Sequence, residues 1–148
     1  MPLSDRGRTF LESARGAAMI TLRRDGSPHA VRVGVALVDD RIWSSGTADR
    51  VRTRHLRRDP RAALFVFGTG YESLTIEATV RILEGPDVPE LSWKLFSVMQ
   101  RGATPPPPPG HLMWFGKPKT HEQFLQQMLE EHRLIYEFDV TREYGLRR

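Results

Sequence analysis

The residues best placed to do chemistry lie between Ser44 and Arg61, in the run SSGTADRVRTRHLRRDPR. Small hydroxyl residues open it. Six arginines follow (Arg50, Arg52, Arg54, Arg57, Arg58 and Arg61) against two acids, Asp49 and Asp59. Small residues let a backbone come close to a ligand. Backbone N–H groups at a helix start favour an anion. Arginine adds planar, bidentate recognition of phosphate. The run reads as a cradle for a phosphorylated ligand; the competing reading is a solvated basic helix.

Other chemistry is sparse. No HExxH, GxSxG, P-loop or GxGxxG pattern occurs. The chain has no cysteine, which excludes disulfides, thiolate metal sites and a cysteine nucleophile. None of the five histidines (His29, His55, His111, His121, His132) pairs at convincing metal-ligand spacing. His121 and His132 share a face only if the last helix runs through both. The acid pairs Asp39-Asp40 and Glu130-Glu131 fall at turn or helix-surface positions and do not suggest an acid/base dyad. An anion cradle without a protein nucleophile suits a bound cofactor that carries its own chemistry.

Several elements must position this cradle. Residues 4–15 read as a short helix capped by Ser4, with Phe10, Leu11 and Ala14 on one face. A strand at 17–23 leads through Asp25-Gly26, a hairpin signal, into a strand at 29–38. On that strand Val31, Val33, Val35 and Leu37 share one face, and Ala30, Arg32, Gly34, Ala36 and Val38 the other. Gly34 marks a bulge or the close approach of something flat, or simply a tightly packed sheet. Residues 42–45 form the strand that enters the cradle. In the helix after it, Arg50, Arg54, Arg57 and Arg58 fall within one sector while Arg52 points elsewhere. Pro60 ends that helix.

Residues 62–68 form a buried strand, and Leu74 to Leu83 alternates cleanly as another. A helix over 87–100 carries a capping-box pattern, Asp87 with Glu90, and an apolar line of Leu91, Leu95 and Val98. Residues 101–119 break the pattern with five prolines, an extended run that cannot join a sheet. They read as a lid with an aromatic tip, as a proline-rich docking segment, or as a linker that packs Trp114 and Phe115 on the core. Thr120 and Gln123 open a last helix with a second capping box, and 134–145 forms a final strand. The sum is about six strands with marginal helices, mainly β with α. Without strict βαβ alternation, a closed or nearly closed antiparallel barrel is favoured over a doubly wound sheet.

A chain of 148 residues fits a single domain, 1–148, that can bury a real core. No run approaches a membrane span, and MPLSDRGRTF lacks an apolar leader, so the expectation is a cytoplasmic protein with no membrane partner. The net charge is +4, and arginine outnumbers lysine 19 to 3. That balance admits nucleic acid, a membrane surface, an anionic cofactor or a genomic codon bias. Nucleic-acid binding calls for aromatics among the basic residues. Residues 47–61 contain none apart from His55, so no nucleic-acid partner is expected.

The series DGSPH (25–29), a V-x-V-x-V strand, IWSSGT (42–47) and R-x-R-H-L-R-R-D-P-R (52–61) resembles the pyridoxamine 5'-phosphate oxidase-like flavoproteins. Within them the chain is most similar to the branch that uses the deazaflavin coenzyme F-420. The likeness covers about residues 10–83 and again 133–145. It implies a six-stranded antiparallel split β-barrel, the FMN-binding split barrel, with peripheral helices. It also implies that Arg52, where the family usually has lysine, and Arg54 meet the cofactor phosphate, with Arg50 beside them. Ser44, Ser45, Gly46 and Thr47 would line the phosphate and ribityl chain. Arg32 and Val33 would flank the ring, preceded by His29. His55 stands where asparagine is usual, and Ala78 where glycine is. The family forms homodimers with the cofactor at the interface, so Tyr71, Thr75, Glu77 or Trp114 would reach the partner's cofactor. Arg57 and Arg58 would attract a polyglutamate tail.

The function implied is a deazaflavin-dependent reductase passing hydride to an unsaturated, conjugated small molecule, with no catalytic side chain named. The alternatives are an FMN-dependent oxidase or reductase of the same fold, and a non-enzymatic binder of flavin or haem.

Overall fold

The structure, a computed structural model, describes residues 3–145. Helix α1 (Asp5–Ser13) precedes strands β1 (Gly16–Leu22), β2 (Pro28–Gly34), β3 (Ala36–Val38) and β4 (Arg41–Thr47). Helix α2 (Val51–Arg58) follows, then β5 (Arg61–Phe67), β6 (Ser73–Leu83) and helix α3 (Val88–Met99). A hairpin of β7 (His111–Trp114) and β8 (Lys117–Thr120), helix α4 (His121–Glu130) and β9 (Arg133–Tyr144) complete the chain. The main sheet is antiparallel, in the order β2-β1-β5-β6-β9-β4-β3.

This sheet has seven strands rather than the expected six, because the stretch 29–38 breaks into β2 and β3. The break follows Gly34. A Cβ there would overlap the Met99 methyl, so as α3 is packed the Met99 side chain rests against the bare backbone of Gly34. Val35 donates its N–H to the Arg15 carbonyl at 2.8 Å, and Ser44 Oγ donates to the Gly34 carbonyl at 2.7 Å. The chain thus leaves the β1 ladder and joins that of β4. The two edges of the sheet are consecutive in sequence, and the sheet curls into a half-barrel. It meets itself at Gly34 and Ser44. Beyond that point β2 pairs with β1, while the end of β4 pairs with β9. The two strands diverge, and this opening is the split.

Period-2 alternation fills the interior. Ala17, Met19, Leu64, Val66, Leu74, Ile76, Leu134 and Tyr136 all point inward and are buried. Leu11 of α1 and Leu56 of α2 plug the two helices onto this core. Burying each such Leu or Ile contributes roughly 1.5–3 kcal/mol. Leu95 of α3 packs with Ala36, Val38, Trp43 and Ile135 on the outer face. Beside them Glu137, almost wholly buried, accepts from Trp43 Nε1 at 2.9 Å and pairs with Arg41 and Arg81. That carboxylate is satisfied and structural.

The proline run stays outside the sheets, as expected, but the insert around it is more ordered than a linker. Gln100 clips the loop shut, its side chain bonded to both the N–H and the carbonyl of Met113 at 2.8 Å. Phe115 and Gly116 adopt positive φ at the hairpin turn, as a two-residue turn requires. Trp114 packs with Leu112, Phe124 and Met128, whereas Phe115 is 84% exposed. The linker reading therefore holds for Trp114 and fails for Phe115.

The expected caps of Ser4 and of Thr120 with Gln123 are present. The Asp87 box is not: Asp87 has helical dihedrals and no side-chain cap bond, and Glu90 turns instead to His121 at 2.9 Å. Helix α4 stops at Glu130, and His132 takes a positive φ, so His121 and His132 share no helix face. Among the described residues no helix is long and apolar enough to cross a membrane.

Candidate functional site

The arginine helix α2 starts where β4 ends and lies over the split. Its inward side chains are Thr53, His55 and Leu56, all buried. Thr53 Oγ1 donates to the Thr47 carbonyl at 2.8 Å. Having used its proton there, it accepts from the Tyr136 hydroxyl at 2.5 Å. Tyr136 fits because Gly46 has no side chain: a Cβ at that position would overlap its ring and hydroxyl. Thr47 Oγ1 donates to Asp49 at 2.6 Å, and this bond holds the Asp49 carboxyl below its ordinary range. The turn from strand to helix is thus fixed by side-chain bonds at every step.

Arg52 leaves the exposed sector, as the helical spacing predicts. Its guanidinium carbon lies 5.5 Å from the centre of the Tyr136 ring, and one Nη reaches the Ser45 carbonyl at 3.4 Å. Burial pushes its pKa down from the usual value, the Tyr136 phenol group opposes this, and Arg50 and Arg133 push it down further. Its Nε is buried without a partner. So are Ser45 Oγ on β4 and His29 Nδ1 on β2. Three of the four such atoms among the described residues therefore belong to the two strands and the helix around the split. A buried donor or acceptor left unpaired costs about 1–3 kcal/mol. An anion with further polar groups that displaced the side chains covering these atoms would remove that cost.

The other expected residues divide. Ser44 is fully buried and used in closing the barrel, and Val33 faces the core. Arg32 is exposed on the opposite face of β2. Arg50, at the N-cap, and Arg54 are exposed, and neither forms an ion pair with a described residue; Arg54 donates to the Asp49 carbonyl at 3.2 Å. Arg57 is bound by both oxygens of Glu84 at 2.9 and 3.0 Å, and Arg58 donates to the Leu22 carbonyl at 2.5 Å. Arg61 pairs with Asp59, whose carboxyl is drawn down to about 2. A tail reaching Arg57 would have to displace Glu84.

Tyr71 and Glu77 are not brought to this cluster. Tyr71 is fully exposed in the β5–β6 loop. Glu77 lies on the outer face of β6, where it accepts from the Tyr144 hydroxyl at 3.1 Å. Thr75 shares that face, and Trp114 is buried in the insert. Beside Glu77 runs a cleft of about 400 Å³ lined by Ile20, Leu22, Ala63 and Thr79, among others. Phe65 and Phe67 are 43% and 36% exposed on the same face.

Tyr136, Thr53 and Thr21 support the site and carry no sequence motif. Tyr136 could have been noticed as a hydroxyl on the inward face between Leu134 and Phe138. Thr21 Oγ1 lies 2.9 Å from His55 Nδ1, a contact between distant segments that local sequence does not signal.

No curated protein matches the chain in sequence. Solved structures do. A conserved hypothetical protein from Mycobacterium tuberculosis is 25% identical with a TM-score of 0.70, over 98% of this chain and 86% of that one. An F-420 reductase is 19% identical with a TM-score of 0.66, over 96% and 98%. A candidate pyridoxamine 5'-phosphate oxidase from Listeria innocua is 13% identical with a TM-score of 0.65, over 96% of each chain. The family described as pyridoxamine 5'-phosphate oxidase matches residues 3–124, which span α1, the barrel strands through β6, the arginine helix and α3. By that match and by its curled sheet, the chain belongs to the pyridoxamine 5'-phosphate oxidase-like family of split-barrel flavoproteins.

Proposed function

We propose that the protein is an oxidoreductase that works with a phosphate-bearing deazaflavin, coenzyme F-420, on an unsaturated, conjugated small molecule. The observation that carries this reading is the set of unpaired buried atoms on His29, Ser45 and Arg52 around a split flanked by Arg50 and Arg54, neither of which is in an ion pair with a described residue. The likeness to an F-420 reductase supports it. FMN is the second candidate, since it offers the same phosphate and a comparable ring, and flavin binding belongs to the family.

When bound, such a cofactor supplies the hydride. The chain's own residues bind and orient. Arg52 and Arg54, with Arg50, neutralise the phosphate, and Ser45 and Thr47 lie beside it. The unpaired edge of β2 beyond Val33 offers backbone groups to the ring, with Arg32 and His29 on the same strand. The apolar surface of Ile20, Leu22, Phe65 and Phe67 pairs with a second copy. Tyr71 and Glu77 then reach the cofactor held by that partner.

The test is the double replacement of Arg52 and Arg54 by alanine. The fold should survive, because neither residue belongs to the core, and binding of F-420 or FMN should be lost. Unchanged affinity would remove the assignment.

A further inference from the structure

Helix α2 is held down at both ends by side-chain bonds. At its start Thr53 bonds to the Thr47 carbonyl and to Tyr136. In its second half His55 meets Thr21 of β1, with Nδ1 and Oγ1 2.9 Å apart and Thr21 fully buried. Of these groups only His55 changes charge near neutral pH. The ring of His29, on β2, stands edge-on to it at 5.1 Å and 86°.

The charged groups acting on His55 come from each neighbouring element. They are His29 from β2, Arg23 from the end of β1, and Arg58 and Arg54 from its own helix. The three arginines are cations. They donate to the neutral carbonyls of Pro28, Leu22 and Asp49, and none of them forms an ion pair with a described residue. The nearby acids are engaged elsewhere: Asp25 accepts from Ser27, and Asp59 pairs with Arg61.

We propose that His55 is a proton-sensitive positioning residue: neutral, it pins α2 to β1; protonated, it releases the arginine helix from the split. A charge gained there is buried and surrounded by like charge, and undocking the helix exposes it to water and salt. Burial first, and then His29 and the arginines, lower the His55 pKa in the docked form. The open form therefore binds the proton more tightly. Docking is complete above the ordinary histidine value of about 6.5 and weakens as pH falls below it. Any effect on cofactor affinity rests on the function proposed above, whereas the pin itself does not.

Hydrogen exchange of the full chain at pH 8 and pH 5.5, corrected for intrinsic rates, tests this. Protection of residues 51–58 should fall severalfold at the lower pH, toward a ceiling of about tenfold set by an open-form value one unit above pH 5.5, while β6 stays unchanged. His55→Asn keeps a hydrogen-bonding side chain that does not titrate, and its α2 should be equally protected at both values. Equal protection at both pH values in the natural chain, or the same fall in His55→Asn, overturns the proposal. If His55→Asn does not fold, NMR titration of the histidine rings in the natural chain decides. The His55 midpoint should coincide with the opening of α2, and opening while His55 is unchanged overturns the pin. Loss of protection with no binding of F-420 or FMN at either pH leaves the pin standing and removes the cofactor reading. Binding with a pH-independent α2 removes the pin alone.

Discussion

The Tyr136 hydroxyl donates to Oγ1 of Thr53 across 2.5 Å, and this bond ties the last strand of the half-barrel to the arginine helix. It also places an aromatic ring beneath Arg52. Tyr136→Phe keeps the ring and loses the bond, so thermal denaturation should show a cost of about 1 kcal/mol. Gly46→Ala should cost more, roughly 1–3 kcal/mol, because the added methyl overlaps Tyr136. A Gly46→Ala protein as stable as the natural one would mean that Tyr136 is not held where the structure puts it.

The arginines of the helix should separate by partner. Arg57 is occupied by Glu84, so Arg57→Ala should leave cofactor affinity within about twofold. Arg52→Ala should lower it by tenfold or more, since a charge-assisted bond is worth roughly 1.5–3 kcal/mol. Equal losses in a binding titration would return the cluster to an undifferentiated basic face.

The insert has its own acid sensitivity. Burial works to raise the Glu131 carboxyl, but hydrogen bonds from Arg133, Trp114 and Gln127 outweigh it, and its pKa is lowered. A carboxyl depressed in the folded state stabilises above its unfolded value and loses that contribution as pH falls through the folded one. Melting temperature should drop as pH goes below the ordinary glutamate value of about 4.3. Glu131→Gln should start lower at pH 7 and show a smaller drop. An unchanged drop would place the acid sensitivity elsewhere.

Adjacent aromatics at the hairpin tip should behave oppositely. Trp114→Ala should cost about 3–5 kcal/mol, because the ring is buried against Phe96 and Phe124. Phe115→Ala should be nearly neutral to stability. Comparable melting curves for the two would contradict the hairpin.

Much of this was legible from local pattern. The alternation of β6 and the departure of Arg52 from the other arginines follow from periods of 2 and 3.6, and the caps of α1 and α4 from the hydroxyl residue before each helix. Gly34 signalled a disturbance, but the bonds at the break, Val35 N–H to the Arg15 carbonyl and Ser44 Oγ to the Gly34 carbonyl, join residues that no local pattern pairs. The β7–β8 hairpin was hidden because the prolines dominated the reading of 101–119 and Phe115-Gly116 is not a common turn pair. Glu84 against Arg57 and Thr21 against His55 are contacts between segments 27 and 34 residues apart, which no local rule supplies.

The exposed face of Phe65 and Phe67 carries the proposal of a second copy. Phe65→Glu should shift the protein to a monomer in sedimentation, with its melting curve little changed. A natural chain that already sediments as a monomer would contradict the pairing and the roles of Tyr71 and Glu77.

The most direct measurement is a parallel fluorescence titration of the purified protein with coenzyme F-420, FMN and riboflavin. Binding of F-420 ahead of FMN, with riboflavin weakest for want of a phosphate, is the predicted result. Binding of none of the three would contradict a cofactor site at the arginine helix.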